Sequence, residues 1–266
     1  MIVRKTTHLG LTDQGELKGP NGLNYDAIIP RIGGPIISFG SAVIQTLERG
    51  DIFTTASSYG LTISKDKFLT GQVLSANGLA VPKTATIASI ENFKSALDYV
   101  GGYPIIVKLS TSSQGRAVIY VDNAQTGKSL IGTLINSREP FIIQEFIKES
   151  SGTDLRVFVI DGTVAGAMMR TAAAGEFRSN VHQGGSVKRV DLSEAERQCA
   201  IQAAEALKLK VAGIDILRSN DGPKILEVNS SPGLEGISKA TGKNIAADII
   251  ACIERNVRVP KSRAVG

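Results

Sequence analysis

Stretches with strand-like and helix-like spacing of apolar residues alternate along the whole chain, with no internal repeat and no low-complexity linker, which predicts a mixed α and β class. Residues 1–22 are polar and carry turn signals at Asp13-Gln14-Gly15 and Gly19-Pro20-Asn21-Gly22, so a weak hairpin or irregular entry is expected. Ala27 to Pro30 reads as a short buried strand stopped by proline, and Gly40 to Arg49 as a helix turning Val43, Ile44 and Leu47 inward. A helix from Ser64 places Leu69, Val73 and Ala76 on one face and stops at Gly78. The next helix, with Ser89 as N-cap, aligns Ile90, Phe93, Leu97 and Val100 before the Gly101-Gly102 pair. An apolar strand over 104–109 interrupted by Lys108, a strand over 117–121, a helix over 124–135 and a strand over 141–146 complete a small α+β unit.

The remainder opens with a hairpin, Leu155 to Ile160 and Val164 to Met169 around Asp161-Gly162. A strand over 186–190 and a helix from Ser193 follow; Glu194 and Glu196 in its first turn suit the helix dipole, and Ala200, Ala203, Ala204 and Leu207 form its inward stripe. A second hairpin joins Val211–Arg218 to Lys224–Asn229, and a last helix carries Ala246, Ile249, Ile250 and Ile253.

Length and composition narrow the class. At 266 residues, 42% hydrophobic and 21% charged, the chain is neither disordered nor fibrous and is long enough for two or three packed units. The longest nearly uncharged stretch, Tyr25 to Leu47, is broken by Asp26 and Arg31 and punctuated by prolines and glycines, so no membrane span is expected. The N-terminal Met1-Ile2-Val3-Arg4-Lys5 lacks the apolar run of a secretion signal, which points to the cytoplasm. Cys199 and Cys252 fall in helical patterns among small apolar residues and read as free core thiols. Thirty Lys and Arg against 25 Asp and Glu leave +5, scattered and without interleaved aromatics, so direct nucleic-acid binding is not indicated.

Three groups of residues carry candidate chemistry. In the second hairpin, pairing Arg218 with Pro223 puts Asp215 opposite residue 226 and diagonal to Glu227; one more residue in the turn would oppose the two directly. Glu227 and Asn229, two apart, share a face. Two carboxylates and an amide among Val, Ile and Leu are costly to bury without a cation, and hard oxygen donors at this density suit Mg²⁺; the alternative is a solvated face paired with Arg218 or Lys224. Lys108 ends its strand before the hydroxyl-rich loop Ser110-Thr111-Ser112-Ser113-Gln114-Gly115, where an ammonium and backbone N–H groups suit phosphate oxygens, although a strand-end lysine also commonly reaches solvent. Lys67 opens its helix and is by itself an ordinary surface lysine. The glycine-bounded segment 175–185 collects Arg178, Ser179, Asn180 and His182, a density that suits phosphate or carboxylate recognition or, equally, a solvated loop. Gly-x-Ser-x-Gly, His-Glu-x-x-His, Gly-x-Gly-x-x-Gly and the full Gly-x-x-x-x-Gly-Lys-Ser/Thr phosphate loop are all absent, which disfavours hydrolase triads, zinc proteases, dinucleotide folds and P-loop enzymes.

The ordered set Lys67, Val107-Lys108, Gln144-Glu145-Phe146-Ile147, Asp154-Leu155-Arg156, Phe177-Arg178-Ser179-Asn180-Val181-His182, Ala212-Gly213-Ile214-Asp215-Ile216-Leu217 and Glu227-Val228-Asn229-Ser230-Ser231-Pro232-Gly233-Leu234-Glu235-Gly236 resembles ATP-grasp ligases, and more narrowly the RimK-type ribosomal protein glutamate ligases. The resemblance runs from about Tyr25 to about Arg255. It implies an α+β fold in which two lobes, 63–146 and 147–266, hold ATP between them, preceded by a truncated α/β N-terminal domain over 1–62. It implies further that Lys67 and Lys108 grip the nucleotide phosphates, that Glu145 and Phe146 line the adenine and ribose pocket, and that Asp154 contacts the nucleotide. Arg178, Ser179 and Asn180 would approach the transferred phosphate, with Arg178 and Lys108 as catalytic residues. Asp215, Glu227 and Asn229 would hold two Mg²⁺ ions, with Mn²⁺ as an alternative.

The implied reaction is an ATP-driven ligation: a carboxylate attacks the γ-phosphate, and an amine then displaces phosphate from the acyl phosphate to leave an amide. Positioning and charge neutralisation would supply the acceleration. The implied donor is L-glutamate, and the acceptor is the C-terminal glutamate of a ribosomal protein tail or a growing glutamate peptide. A homo-oligomer, a tetramer, is implied as well. Within the same chemistry a cofactor or amino-acid acceptor stays open, and outside it a nucleotide-binding protein without turnover. Two departures stand out: only some 25 residues precede Ile29-Pro30-Arg31-Ile32-Gly33, and Gly115-Arg116-Ala117 replaces a lid that is richer in glycine among relatives.

Overall fold

The computed structural model describes residues 10–11, 17–18, 26–33, 36–50, 52–111, 118–150, 152–173 and 185–257. Two short strands, β1 (Gly10–Leu11) and β2 (Leu17–Lys18), pair antiparallel, and β3 (Ala27–Ile28) pairs parallel with β4 (Phe53–Thr54) across helix α1 (Ile37–Arg49). Helix α2 (Ser58–Ile63) is capped by the Ser57 hydroxyl, and α3 (Lys67–Ala76) by the Asp66 carboxylate, which accepts from the Phe68 and Leu69 amides at 2.8 and 3.0 Å. The sequence pattern leaves α2 unread, starts α3 at Ser64 and not Lys67, and misplaces the buried face of α3. Thr70 and Leu74 are buried, whereas Leu69 is 41% exposed.

Four strands, in the order β5 (Thr84–Ala85), β8 (Phe141–Glu145), β6 (Ile105–Leu109), β7 (Val118–Val121), form an antiparallel sheet. Helices α4 (Phe93–Tyr99) and α5 (Ala124–Ser137) cover one of its faces. Val107, Ile143 and Phe141 point into that core with Phe93 and Ile131, so the intervening Ile106, Lys108, Ile142 and Gln144 belong to the opposite face. Ile90, read as part of the inward stripe, lies in a 3-10 turn that precedes α4 and is 40% exposed.

The second sheet has five antiparallel strands in the order β11 (Ser186–Arg189), β10 (Thr163–Thr171), β9 (Thr153–Ile160), β12 (Val211–Ser219), β13 (Gly222–Asn229). Its inner face, with Leu155, Val157, Ile214, Ile216 and Val228, packs on α6 (Glu194–Ala206) through Ala200, Ala203 and Ala204, and shares that core with Ile44, Leu47, Leu61 and Leu74 of α1, α2 and α3. Helix α6 starts with a full capping box between Ser193 and Glu196. The other face is covered at one end by α7 (Glu235–Thr241) and α8 (Ile245–Asn256), against Phe158, Ile160 and Met168. Helix α8 buries Ile245, Ile249 and Cys252; Ile250, assigned inward from its spacing, is 44% exposed. Both cysteines are free, and burial pushes the Cys199 thiol up to about 11. Among the described residues no helix is long and apolar enough to cross a membrane.

Candidate active site

The end of the large sheet that no described helix covers presents a row of charged and amide side chains. Cross-strand pairing fixes which ones share it: Asp154 faces Arg170, Arg156 faces Asp215, Asp215 faces Glu227, and Gly213 faces Asn229. The turn of the second hairpin follows the simple register, with Arg218 opposite Pro223. A bulge at Leu226, between the pairs Ile216–Ile225 and Asp215–Glu227, then advances the register by one. It puts Glu227 directly opposite Asp215 and carries Asn229 onto the same face.

A second bulge, at Ala165 between Val164 and Gly166, acts likewise in the first hairpin and sets Arg170 opposite Asp154. Without it Asp154 would face Met169. Arg156 and Arg170 are the residues to which sequence reasoning gave no role. The period of two from Asp154 signals Arg156, but only the bulge brings Arg170 to this face.

Asp215, 3% exposed, accepts from Arg156 Nε and, at 2.7 Å, from Arg156 Nη2; Arg170 Nη2 reaches its Oδ2 at 2.8 Å. Arg170 also makes a fork of two 2.6 Å bonds to Asp154. Burial by itself would raise the pKa of Asp215; Arg156 and Arg170 outweigh it and hold the carboxyl below its ordinary value. Neither Arg218 nor Lys224 pairs with this group: Arg218 goes to Glu196 at 2.6 Å and Lys224 to Glu145 at 2.8 Å. Among the described residues no three His, Cys, Asp or Glu side chains converge; the face that carries Asp215 and Glu227 also carries the amide of Asn229. Asn229 Oδ1 accepts from the Ser231 amide at 3.0 Å, which orients the amide.

Across a cleft lined by Ser64, Lys67, Thr70, Gln144, Leu226 and Glu227 lies the face of the small sheet opposite α4 and α5. Lys108 is 8% exposed and donates to Gln144 Oε1 at 2.8 Å; burial lowers its pKa to about 8 despite the Glu227 carboxylate. Gln144 is held in turn by a bond from its Nε2 to Thr84 Oγ1 at 2.9 Å. Lys67, at the first turn of α3, is likewise lowered by burial, with Glu227 and Asp66 opposing. The structure thus brings Lys67 and Lys108 into the electrostatic range of Glu227. Glu145 Oε1 accepts from the Lys83 amide at 2.9 Å and from Lys224, and Phe146 packs edge-on against Tyr120 with ring centroids 5.1 Å apart. These two residues sit where β8 ends and the chain passes to the large sheet. Arg178, Ser179, Asn180 and His182 lie outside the described residues, as do residues 112–117 with Arg116.

A family model, the RimK-like ATP-grasp domain, matches residues 64–253. The chain belongs to the RimK-like ATP-grasp family. The expected fold and the ligase class hold: the protein is an ATP-dependent ligase with an ATP-grasp architecture. It is 42% identical over 253 residues to a probable alpha-L-glutamate ligase of Aliivibrio salmonicida (strain LFI1238), with 95% of this chain and 84% of that protein covered. Two solved structures have the same fold. One is the ATP-grasp ligase PsnB complexed with minimal precursor (TM-score 0.74, 20% identity, 94% and 86% of the two chains). The other is D-alanine–D-alanine ligase from Bacillus anthracis complexed with ATP (TM-score 0.66, 21% identity, 86% and 79%).

Proposed function

We propose that the protein ligates L-glutamate, through its amine, to an acidic acceptor such as a C-terminal glutamate of a ribosomal protein tail or a glutamate peptide, in the cytoplasm and as a homo-oligomer. The 42–44% identity to probable alpha-L-glutamate ligases supports the amino acid. The observation that carries the site is the register of the second hairpin, which sets Asp215 against Glu227 beside Asn229 on a face opposite the buried Lys108 and the half-buried Lys67. In this reading the lobes are 63–146 and 147–266, preceded by a unit over 1–62.

Lys67 and Lys108 hold nucleotide phosphates. Their ammonium groups sit in a desolvated cleft, where each is worth more against phosphate than in water. Gln144 fixes the Lys108 ammonium, so little ordering remains to be done on binding. Glu145 and Phe146 flank the base and ribose, Asp154 contacts the nucleotide, and Arg178, Ser179 and Asn180 meet the transferred group. The donor set of two carboxylates and one amide fits Mg²⁺ or Mn²⁺, for all three are hard oxygen ligands on one sheet face. Two such ions, when bound at Asp215, Glu227 and Asn229, would neutralise charge on the phosphates.

Phosphate release with ATP, L-glutamate and short glutamate peptides, measured beside Asp215→Ala and Glu227→Ala proteins, tests the proposal. Release that depends on glutamate, with products growing by glutamyl units in the mass spectrometer, is expected from the parent alone. Equal rates in parent and variants would refute it.

A further inference from the structure

Asp154, Arg170, Asp215 and Arg156 form a continuous chain of charge-assisted hydrogen bonds in which the proposed chemistry gives the two arginines no task. We propose that Arg156 and Arg170 are positioning residues that occupy the Asp215 carboxylate in place of a divalent ion, so that the ion binds together with nucleotide and not ahead of it. The inference rests on the reading of Asp215, Glu227 and Asn229 as metal ligands.

Three observations carry it. The first is a count of acceptor sites. A carboxylate offers about four lone-pair positions. On Asp215 three are taken, one on Oδ1 by Arg156 Nε and two on Oδ2 by Arg156 Nη2 and Arg170 Nη2. One is left, so an ion bound through both oxygens has to displace an arginine.

The second is charge. Among the described residues the site sets four carboxylates, Asp66, Asp154, Asp215 and Glu227, against four cations, Arg156, Arg170, Lys67 and Lys108. A lone divalent cation meets a site that is already compensated, whereas an anionic nucleotide beside the lysines supplies the negative charge that draws the ion in.

The third is burial. Both arginine side chains are 12% exposed and Asp215 is nearly sealed, so the cluster is a desolvated arrangement and not a surface pair. Buried ion pairs of this kind contribute little net stability compared with apolar packing. The bulge at Ala165, which swings Arg170 onto this face, therefore serves the site more than the sheet.

The full chain, with Mn²⁺ as probe and its paramagnetic resonance signal as readout, tests the inference without turnover. Parent protein should take up Mn²⁺ at least tenfold more tightly with a non-hydrolysable ATP analogue than alone. Arg170→Gln should tighten Mn²⁺ binding without nucleotide by about tenfold, the scale of one charge-assisted hydrogen bond, and shrink the nucleotide effect. Arg170→Lys keeps the charge but cannot bridge Asp154 and Asp215 as a fork does, so it should tighten Mn²⁺ binding in the same direction as Arg170→Gln and by less. Asp154→Asn, which frees Arg170 for Asp215, should weaken Mn²⁺ binding without nucleotide. Arg156→Gln serves should Arg170→Gln fail to fold.

Unchanged Mn²⁺ affinity without nucleotide in folded Arg156 and Arg170 variants would overturn the inference, as would parent-like behaviour of Arg170→Lys. Asp215→Asn separates it from the metal reading. If that change leaves Mn²⁺ uptake in the presence of nucleotide intact, the assignment of the ligands fails and the clamp with it; if it abolishes uptake while the arginine variants stay parent-like, the clamp alone fails.

Discussion

Lys108 shows at the scale of one residue how burial sets chemistry. Its strand has Ile106 and Val107 before it, and its ammonium has one fixed amide partner, so the charged form loses hydration that a single hydrogen bond does not replace. Nucleotide phosphates favour the protonated form. Affinity for a non-hydrolysable ATP analogue should therefore be flat below pH about 8 and fall as pH rises through that value, whereas Lys108→Arg should stay flat and Lys108→Met should be weak throughout. Titration calorimetry at a series of pH values reads the slope.

Stability moves the other way. Between pH about 8 and the ordinary lysine value of 10.5 the unfolded chain carries more of the proton than the folded one, so this residue's destabilisation is full below about 8 and is relieved across that window. A nucleotide affinity that stays constant from about pH 7 to about pH 9.5 would remove Lys108 from phosphate binding. Lys108 was legible in the sequence as a polar break in an apolar strand; its burial was not, because nothing local announces the Gln144 partner 36 residues away.

At the scale of elements, the bulges at Ala165 and Leu226 decide the site. Each moves every later residue of its strand to the other face, and so converts two ordinary hairpins into a shared row of Asp154, Arg156, Arg170, Asp215, Glu227 and Asn229. Gly213 keeps that row approachable. A Cβ there would stand 2.8 Å from Pro232 Cβ and 3.3 Å from Arg156 Cδ, so the 229–232 segment crosses β12 only because the position is glycine.

Gly213→Ala should cost about 1–3 kcal/mol in denaturant unfolding, the range for overpacking, and weaken Mn²⁺ uptake with nucleotide by displacing Arg156 and Asn229. Parent-like stability and uptake would show that Pro232 yields freely.

Strand pairs, turns and the alanine face of α6 were readable because period, turn residues and caps agree there: Asp161 and Gly162 both take positive φ, and Ala200, Ala203 and Ala204 are all at most 2% exposed. The bulges were not readable, since an extra residue leaves composition and alternation nearly unchanged. Two helix faces misled for another reason. In α8 both Ile245-Ile249-Cys252 and Ala246-Ile249-Ile250-Ile253 satisfy helical spacing, and only docking on Phe158 and Ile160 selects the first. Helix α7 went unread because Pro232-Gly233-Leu234-Glu235-Gly236 looks like a turn from sequence alone.

For the whole molecule, the distribution of apolar contacts predicts how it unfolds. Helices α1, α2, α3 and α6 share one core with the five-stranded sheet, whereas the four-stranded sheet with α4 and α5 has a core of its own, containing Phe93, Val107, Ile131 and Ile143. Specific polar links also join the two bodies: the Lys67 amide to the Ser110 carbonyl at 3.0 Å and the Lys224 ammonium to Glu145 at 2.8 Å. Hydrogen bonds of this sort contribute about 1 kcal/mol each, less than burial of one large apolar side chain. The small sheet should therefore open below the temperature at which the large one melts.

Calorimetry without nucleotide should give a measured enthalpy larger than the van't Hoff value, the mark of more than one cooperative unit. A ligand gripped by Lys67 and Lys108 on one side and by Asp215 and Glu227 on the other stabilises only the state with both bodies folded and apposed. At about 100 times its dissociation constant it adds about 2.7 kcal/mol to that state, so the two enthalpies should converge when Mg²⁺ and a non-hydrolysable ATP analogue are present. Lys224→Met, which cuts one link at the end of β8 remote from the lysines, should widen the gap between the transitions without nucleotide and leave their merging intact. A single two-state transition in the parent without ligand would instead mean that the polar links couple the bodies as tightly as a shared core does.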